Sequence, residues 1–386
     1  MYLHVPFCFH KCHYCDFYSF VDTKDRQSAF TDALIREIGA LADSEARAGH
    51  VPGLDTIFVG GGTPTLLALD EWQRLGEALH ARFEITRDAE WTVECNPETA
   101  TPELMALLEG IGVNRLSVGA QTFHPDHLKT LERWHDPDNV ERALNLAREA
   151  GIGRVSLDLI YAIPGQTLDE WEADLARAIA IGTGHVSAYA LTYEPNTALT
   201  VRMHRGDFAP ADEELETAMF LRTREILGEA GLHAYEVSNF AAYAEHGGPC
   251  AHNLAYWCQD QWHGAGPSAS AHVGGHRWKN TPRLTDWMEH VNAHDGASLI
   301  VDHEGPDPKR ALAEKIMTGL RLSEGLDSDA IERCAEDIGC GDALRVSIER
   351  AHDAGHVETT PGRWVLTSEG LLLADLVSAR LMEALD

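Results

Sequence analysis

Strands and helices alternate six times across residues 1–195, polar side chains sit at the strand ends, and three cysteines crowd the loop after the first strand. The alternation predicts an α/β fold built on a parallel sheet. Polar residues at the C-terminal strand ends place a site at the mouth of a partial (β/α)6 barrel of the TIM type. A small, mainly helical C-terminal domain is expected after it. The expected division is a barrel over 1–195, a barrel extension over 196–305 and a C-terminal domain over 306–386, with Pro306 and Pro308 at the last boundary.

Each element has a local reason. Tyr2 to Phe7 is a short apolar strand. Gln27 to Glu45 carries Phe30, Leu34, Ile38 and Leu41 at helical spacing. Thr56-Ile57-Phe58-Val59 is a buried strand running into Gly60-Gly61-Gly62-Thr63-Pro64-Thr65, and a helix follows over Leu69 to Arg82. Trp91 to Cys95 is a strand stopped by Asn96-Pro97. Thr101 then caps a helix with Pro102 at its first position. Arg115 to Ala120, Val155 to Ile160 and His185 to Leu191 complete the strands; Asn139 to Ala150 and Leu168 to Ile181 are the helices between them. Past Pro195 the rhythm stops. Glu213 to Ala230 reads as a helix, Tyr235 to Ser238 as a strand, and Gly247 to Trp278 as a glycine- and aromatic-rich segment. From Lys309 onward two or three helices and a hairpin at Arg363 to Leu366 are expected, covering the barrel mouth or recognising a partner.

The 386 residues carry 61 acidic against 31 basic side chains, a formal net charge of −30. A field of that sign repels phosphate backbones and argues against nucleic-acid binding. No apolar run approaches the ~18 residues of a membrane span, and no signal-peptide pattern precedes the first strand. A cytoplasmic location is expected. Of eight cysteines, only the first three cluster, so metal binding is a better expectation than disulfides.

Cys8, Cys12 and Cys15 are spaced C-x3-C-x2-C. Three thiolates in one loop can wrap a cubane cluster and leave one iron open. The competing reading is a zinc loop, with His10 or His13 as fourth ligand. Gly60-Gly61-Gly62 would let a cofactor's polar end approach the backbone, or simply make a tight turn. His252 lies in an aromatic segment, His252-Asn253-Leu254-Ala255-Tyr256-Trp257. Its imidazole could ligate haem iron; His263 and His272 are alternatives, and Tyr256 and Trp257 could equally anchor the loop.

With these segments in hand, the sequence resembles the radical S-adenosylmethionine (SAM) superfamily, whose signature is C-x3-C-x2-C with an aromatic residue, here Tyr14, before the third cysteine. The resemblance implies a 4Fe–4S cluster on Cys8, Cys12 and Cys15, whose open iron chelates SAM and whose electron cleaves it to a 5′-deoxyadenosyl radical. Tyr2-x-His4-Val5-Pro6-Phe7-Cys8, Gly60 to Thr65, Val118 to Phe123, Asp158 to Thr167 and Gly319 to Leu322 resemble one branch, the oxygen-independent coproporphyrinogen III oxidases and their relatives. Carried over, Tyr2, Tyr14, Gly61, Gly62, Thr63, Glu94, Gln121, Arg133, Asp158 and Thr192 would contact SAM.

Two departures bear on activity. The oxidases have a fourth cysteine two residues after the third, where this chain has Phe17, and they carry an extension ahead of the first strand. His252-Asn253-x-x-Tyr256-Trp257 matches the H-N-x-x-Y-W motif of a sister group, the radical-SAM-type haem chaperones. The resemblance therefore implies a protein that holds haem as cargo and delivers it to haem-accepting proteins, including membrane-associated respiratory proteins, with an electron donor if SAM is cleaved. The alternatives are radical decarboxylation of coproporphyrinogen III and radical SAM chemistry on another substrate.

Overall fold

The computed structural model describes residues 1–243 and 247–385. Six parallel strands lie side by side in chain order: β1 (Tyr2–Val5), β2 (Gly53–Gly61), β3 (Glu84–Cys95), β4 (Arg115–Gln121), β5 (Arg154–Tyr161) and β6 (His185–Ala190). Beyond β6 the sheet gains two short antiparallel strands, β7 (His233–Ala234) and β8 (Asn239–Ala241), with β8 against β6. On the other side β9 (Gly264–Ala265) pairs in parallel with β1. The nine strands form an open arc, ending at β9 and β7.

Period-two alternation sorts the strand residues. Leu3, Ile57, Val59, Trp91, Val93, Leu116, Val118, Leu157 and Val186 share one face and are fully or nearly fully buried. They pack beneath the intervening helices α1 (Gln27–Arg47), α2 (Leu69–Arg82), α3 (Pro102–Gly110), α5 (Asp138–Ala150) and α6 (Leu168–Ile181); α4 (Pro125–Thr130) is a short helix between β4 and α5. The opposite face is polar: Glu90, Thr92 and Glu94 on β3, Arg115 and Ser117 on β4, Ser156 and Asp158 on β5. That column lines the barrel interior.

Helix boundaries follow their caps. Thr167 and Glu170 form a reciprocal capping box at the start of α6, and Gly182 closes it in the left-handed conformation. Thr101 accepts from the Leu104 N–H at the start of α3.

The expected strand over Tyr235 to Ser238 is not one. Those residues form the turn between β7 and β8, because the Glu236 carboxylate accepts from the Ser238 N–H at 3.1 Å and from the Asn239 side chain. A local side-chain bond has displaced the ladder. The C-terminal region is also richer than two or three helices: Pro308–Gly319, Ser328–Asp337, Gly341–Asp353, Ser368–Leu372 and Ala374–Glu383, with a three-stranded sheet. Gaps of only a few residues, as between Asp337 and Gly341 and between Leu372 and Ala374, hid these boundaries.

Residues 312–385 have their own core, around Ile316, Leu344, Trp364 and Leu381. Leu284, Trp287 and Val291, from the extension, belong instead to the barrel's core. The C-terminal unit touches both sides of the open arc. Ser323 N–H donates to the Tyr235 carbonyl at 3.0 Å beside β7, while Glu314 takes a two-point contact from Arg277 at 2.8 and 3.0 Å on the β9 side.

Candidate functional site

Parallel strands direct their C-terminal ends to one mouth, and the cysteine loop caps it between β1 and α1. All three cysteines are free and half-buried. Each sulfur faces a donor. Thr63 Oγ1 lies 3.6 Å from Cys8 Sγ, Arg133 Nη1 3.7 Å from Cys12 Sγ, and Lys11 Nζ 3.8 Å from Cys15 Sγ. A hydroxyl and two cations thus face the three sulfurs; burial raises the Cys15 thiol, with the Lys11 ammonium opposing it. Sequence reasoning missed Lys11, which also donates to the Phe17 carbonyl at 2.5 Å and reaches Ser19 Oγ at 2.8 Å. The possible signal was a lysine enclosed by the cysteines, but its target depends on the path of the loop.

The glycine run does more than turn the chain. Gly61 has φ +105°, and a Cβ there would stand 2.5 Å from the His4 ring. At Gly62 a Cβ would meet the Phe7 and Val5 carbonyl oxygens at 2.7 and 2.8 Å. Gly62 N–H donates to Val5 O and Thr63 N–H to Phe7 O. The run therefore locks the end of β2 onto the segment that delivers Cys8.

Inside the mouth, Glu94 Oε2 accepts the Gly61 N–H at 3.1 Å. Burial, with Asp158 adding to it, pushes the Glu94 carboxyl up to about 7. Burial also raises Asp158, against the opposing hydroxyls of Ser187 and Ser117; Ser117 Oγ sits 3.0 Å from Asp158 Oδ2. A β-bulge between Gly119 and Gln121 re-aims the end of β4, and Gln121 takes φ +65°. Arg133 Nη2 donates to the Gly119 carbonyl at 2.9 Å, while its buried Nε has no partner. A buried N–H left open is a demand for an acceptor.

Glu94, Gln121, Arg133, Asp158, Gly61 and Thr63 thus gather around the cysteine loop. Tyr14 packs by Leu131, Ile160 and Leu199, and burial raises its phenol. Tyr2 is half-buried, its hydroxyl 3.0 Å from His4 Nδ1. Thr192 is exposed just past β6. The donor set fits an iron–sulfur cluster, and the carboxylates with the open guanidinium fit a zwitterionic ligand beside it. A cluster held by these three thiols would supply an open iron for SAM.

His252 lies elsewhere. Helix α7 (Ala251–Trp257) plugs the opposite end of the barrel. His252 is 2% exposed. Its Nδ1 is 2.8 Å from Thr56 Oγ1, its Nε2 3.1 Å from Tyr256 Oη, and its ring stacks on Phe58. Burial lowers its pKa to about 3, so it is neutral. Its backbone N–H donates to Glu90 at 3.1 Å, and Glu90 holds Arg115 and Arg154 in a buried ion network. Asn253 reaches Tyr235 Oη at 3.3 Å, while the buried Trp257 indole N–H has no partner. Glu94 stands four residues above Glu90 on one strand, about 13 Å away. The motif therefore builds the barrel floor, and both nitrogens of His252 are engaged there.

Residues 2–178 match the Radical SAM superfamily and residues 307–373 the HemN C-terminal domain. Heme chaperone HemW of Mycobacterium tuberculosis is 35% identical over 99% of this chain and 94% of its own. HemW of Bacillus subtilis is 33% identical over 97% of each chain, and that of Escherichia coli 31% over 96% and 95%. The solved structure of coproporphyrinogen III oxidase (HemN) from Escherichia coli superposes with a TM-score of 0.84 at 22% identity, covering 98% of this chain and 89% of that one. This last likeness is one of fold. The cysteine triplet, the glycine run and these full-length similarities converge: the chain belongs to the radical SAM haem chaperone family.

Proposed function

We propose that this protein binds haem and passes it to acceptor proteins, on a barrel whose mouth holds a 4Fe–4S cluster and SAM. The observation that carries this reading is Phe17. Where the related oxidases have a fourth cysteine, an aromatic side chain stands 65% exposed. Phe9 and Trp134 are also exposed beside the loop, and His10 stacks on Trp134 with ring centroids 4.0 Å apart. A porphyrin is a flat apolar disc that aromatic faces match. His10 Nε2 faces only Glu132 Oε2, at 3.8 Å and beyond hydrogen-bond distance, whereas iron ligation by His252 would first break its bonds to Thr56 and Tyr256. The cluster-loop rim is thus the better cargo site.

Within this reading Arg133, Glu94 and Asp158 hold and orient SAM, and Lys11 and Thr63 steady the sulfurs. Membrane-associated respiratory proteins are the proposed acceptors. The same chemistry would need an electron donor if SAM is cleaved. Free cysteines throughout suit a reducing cytoplasm. No helix among the described residues is long and apolar enough to cross a membrane. The alternative reading is oxidative decarboxylation of coproporphyrinogen III, which Phe17 in place of the fourth cysteine disfavours.

Haem titration of cluster-loaded protein tests the first reading. A saturable Soret change, weakened in His10→Ala and Phe17→Ala, is expected; no saturable change would sink it. An anaerobic assay with coproporphyrinogen III, reductant and SAM should give no protoporphyrinogen, and robust product would reinstate the oxidase.

A further inference from the structure

We infer that His124, His127 and Glu170 form a binding site for a divalent transition-metal ion of the zinc class, distinct from the cysteine loop. Their ligand atoms all lie within 4.8 Å of one another. His124 Nε2 is 3.5 Å from one carboxylate oxygen of Glu170, and His127 Nε2 is 3.2 Å from the other. The two rings face each other at 4.5 Å.

The set is preorganised from both sides. Thr167 donates its N–H at 2.8 Å and its hydroxyl at 3.1 Å to Glu170, as a supporting shell orients a metal-binding carboxylate. One turn along α6, Asp174 accepts from Thr122 Oγ1 at 2.6 Å and from the Phe123 N–H at 2.8 Å. That anchor fixes the backbone immediately before His124, whose N–H donates to Thr122 Oγ1 at 3.1 Å. The Thr167 N–H, chief among its partners, also holds the Glu170 carboxyl below its usual range. His127 is buried while His124 and Glu170 are partly open, so an ion has a way in.

Two imidazoles and one carboxylate suit zinc and its transition-metal neighbours. Calcium and magnesium prefer all-oxygen shells. Three protein ligands leave a fourth position for water. The ion would pin α4 to α6 behind the cluster loop, since the residues after α4 supply the Leu131 carbonyl that accepts the His13 N–H at 3.2 Å, and then Arg133. This inference goes beyond haem handling and stands without it.

The test is calorimetric titration with Zn2+ of full-length protein already loaded with its cluster, so that the loop thiols are committed. One saturable equivalent is expected, weakened about tenfold or more in His124→Gln and in His127→Gln. His276→Gln, in the exposed His276–His303 pair, should bind as the parent does. Zinc should also raise the melting temperature of the parent but not of His124→Gln, a partly exposed position where folding is safe. Absence of zinc binding, or equal binding by the parent and both variants, would overturn the site.

Discussion

Arg133 meets Cys12 across the mouth of the barrel, its Nη1 3.7 Å from the sulfur while its Nη2 is tied to the Gly119 carbonyl. Burial opposes the Arg133 charge, yet Tyr14 and the thiols Cys12 and Cys8 outweigh it and raise its pKa. A buried contact of this kind is worth about 1.5–3 kcal/mol. Arg133→Met keeps the bulk and removes the charge. The loaded cluster should then be harder to reduce, by on the order of 50 mV or more. A redox titration followed by electron paramagnetic resonance measures this, and Arg133→Lys should fall between; an unchanged potential would separate Arg133 from the cluster.

Gly62→Ala tests the lock between β2 and the cysteine loop. Its Cβ would sit 2.7 Å from the Phe7 carbonyl oxygen, and backbone there cannot swing away as a side chain can. The expected cost is about 1–3 kcal/mol of strain, read as lower iron retention after reconstitution. Full iron loading at parental stability would show that the loop tolerates the shift.

His252→Ala should damage the barrel floor before it touches cargo. The variant loses two side-chain hydrogen bonds and a stacked ring, and destabilisation of about 2–4 kcal/mol is expected from denaturant unfolding. Haem affinity of the folded fraction should stay within about threefold of the parent, a free-energy change under ~1 kcal/mol. Loss of haem binding at undiminished stability would return the cargo site to the motif.

Glu37 gives a pH signature. Its carboxylate accepts from the Gly266 N–H at 2.7 Å, Asn280 Nδ2 at 2.7 Å, Trp287 Nε1 at 3.2 Å and Ser298. Burial outweighs these donors and raises its pKa from 4.5 to about 7. The folded state therefore holds the proton more tightly than the unfolded chain. Its contribution is full below pH 4.5 and is lost as pH rises through 7, about 3 kcal/mol in all. Glu94, raised likewise, acts with the same sign, and neutral buried histidines act oppositely at lower pH. Glu37→Gln isolates the effect: the parent minus variant stability should fall between pH 5 and 8, and a flat difference would exclude it.

Local signals made much of the barrel legible. Helix α6 was readable to the residue because its cap, Thr167, and its apolar spacing are all local in the chain. The cysteine spacing and glycine run are equally local, so the mouth could be placed from them. The strand expected at Tyr235 to Ser238 failed because residues of good strand propensity were captured by the Glu236 side chain. His252 was harder still. Its partners Thr56 and Glu90 lie far away in the chain, and nothing near it says that it faces inward at the floor. Lys11 was overlooked for a related reason: only the folded loop brings its ammonium to Cys15.

The arc of strands between β7 and β9 never closes, and the C-terminal unit grips both sides of the seam through Tyr235 and Arg277. A sealed ring widens only by breaking ladder hydrogen bonds along whole strands, whereas this seam is held by side-chain contacts and the short antiparallel bridge of Glu236 to Leu322. The C-terminal unit is mechanically a clasp. Any large flat passenger that needs a wider doorway must strain that clasp, and an acceptor that pulls on it would loosen the doorway from outside.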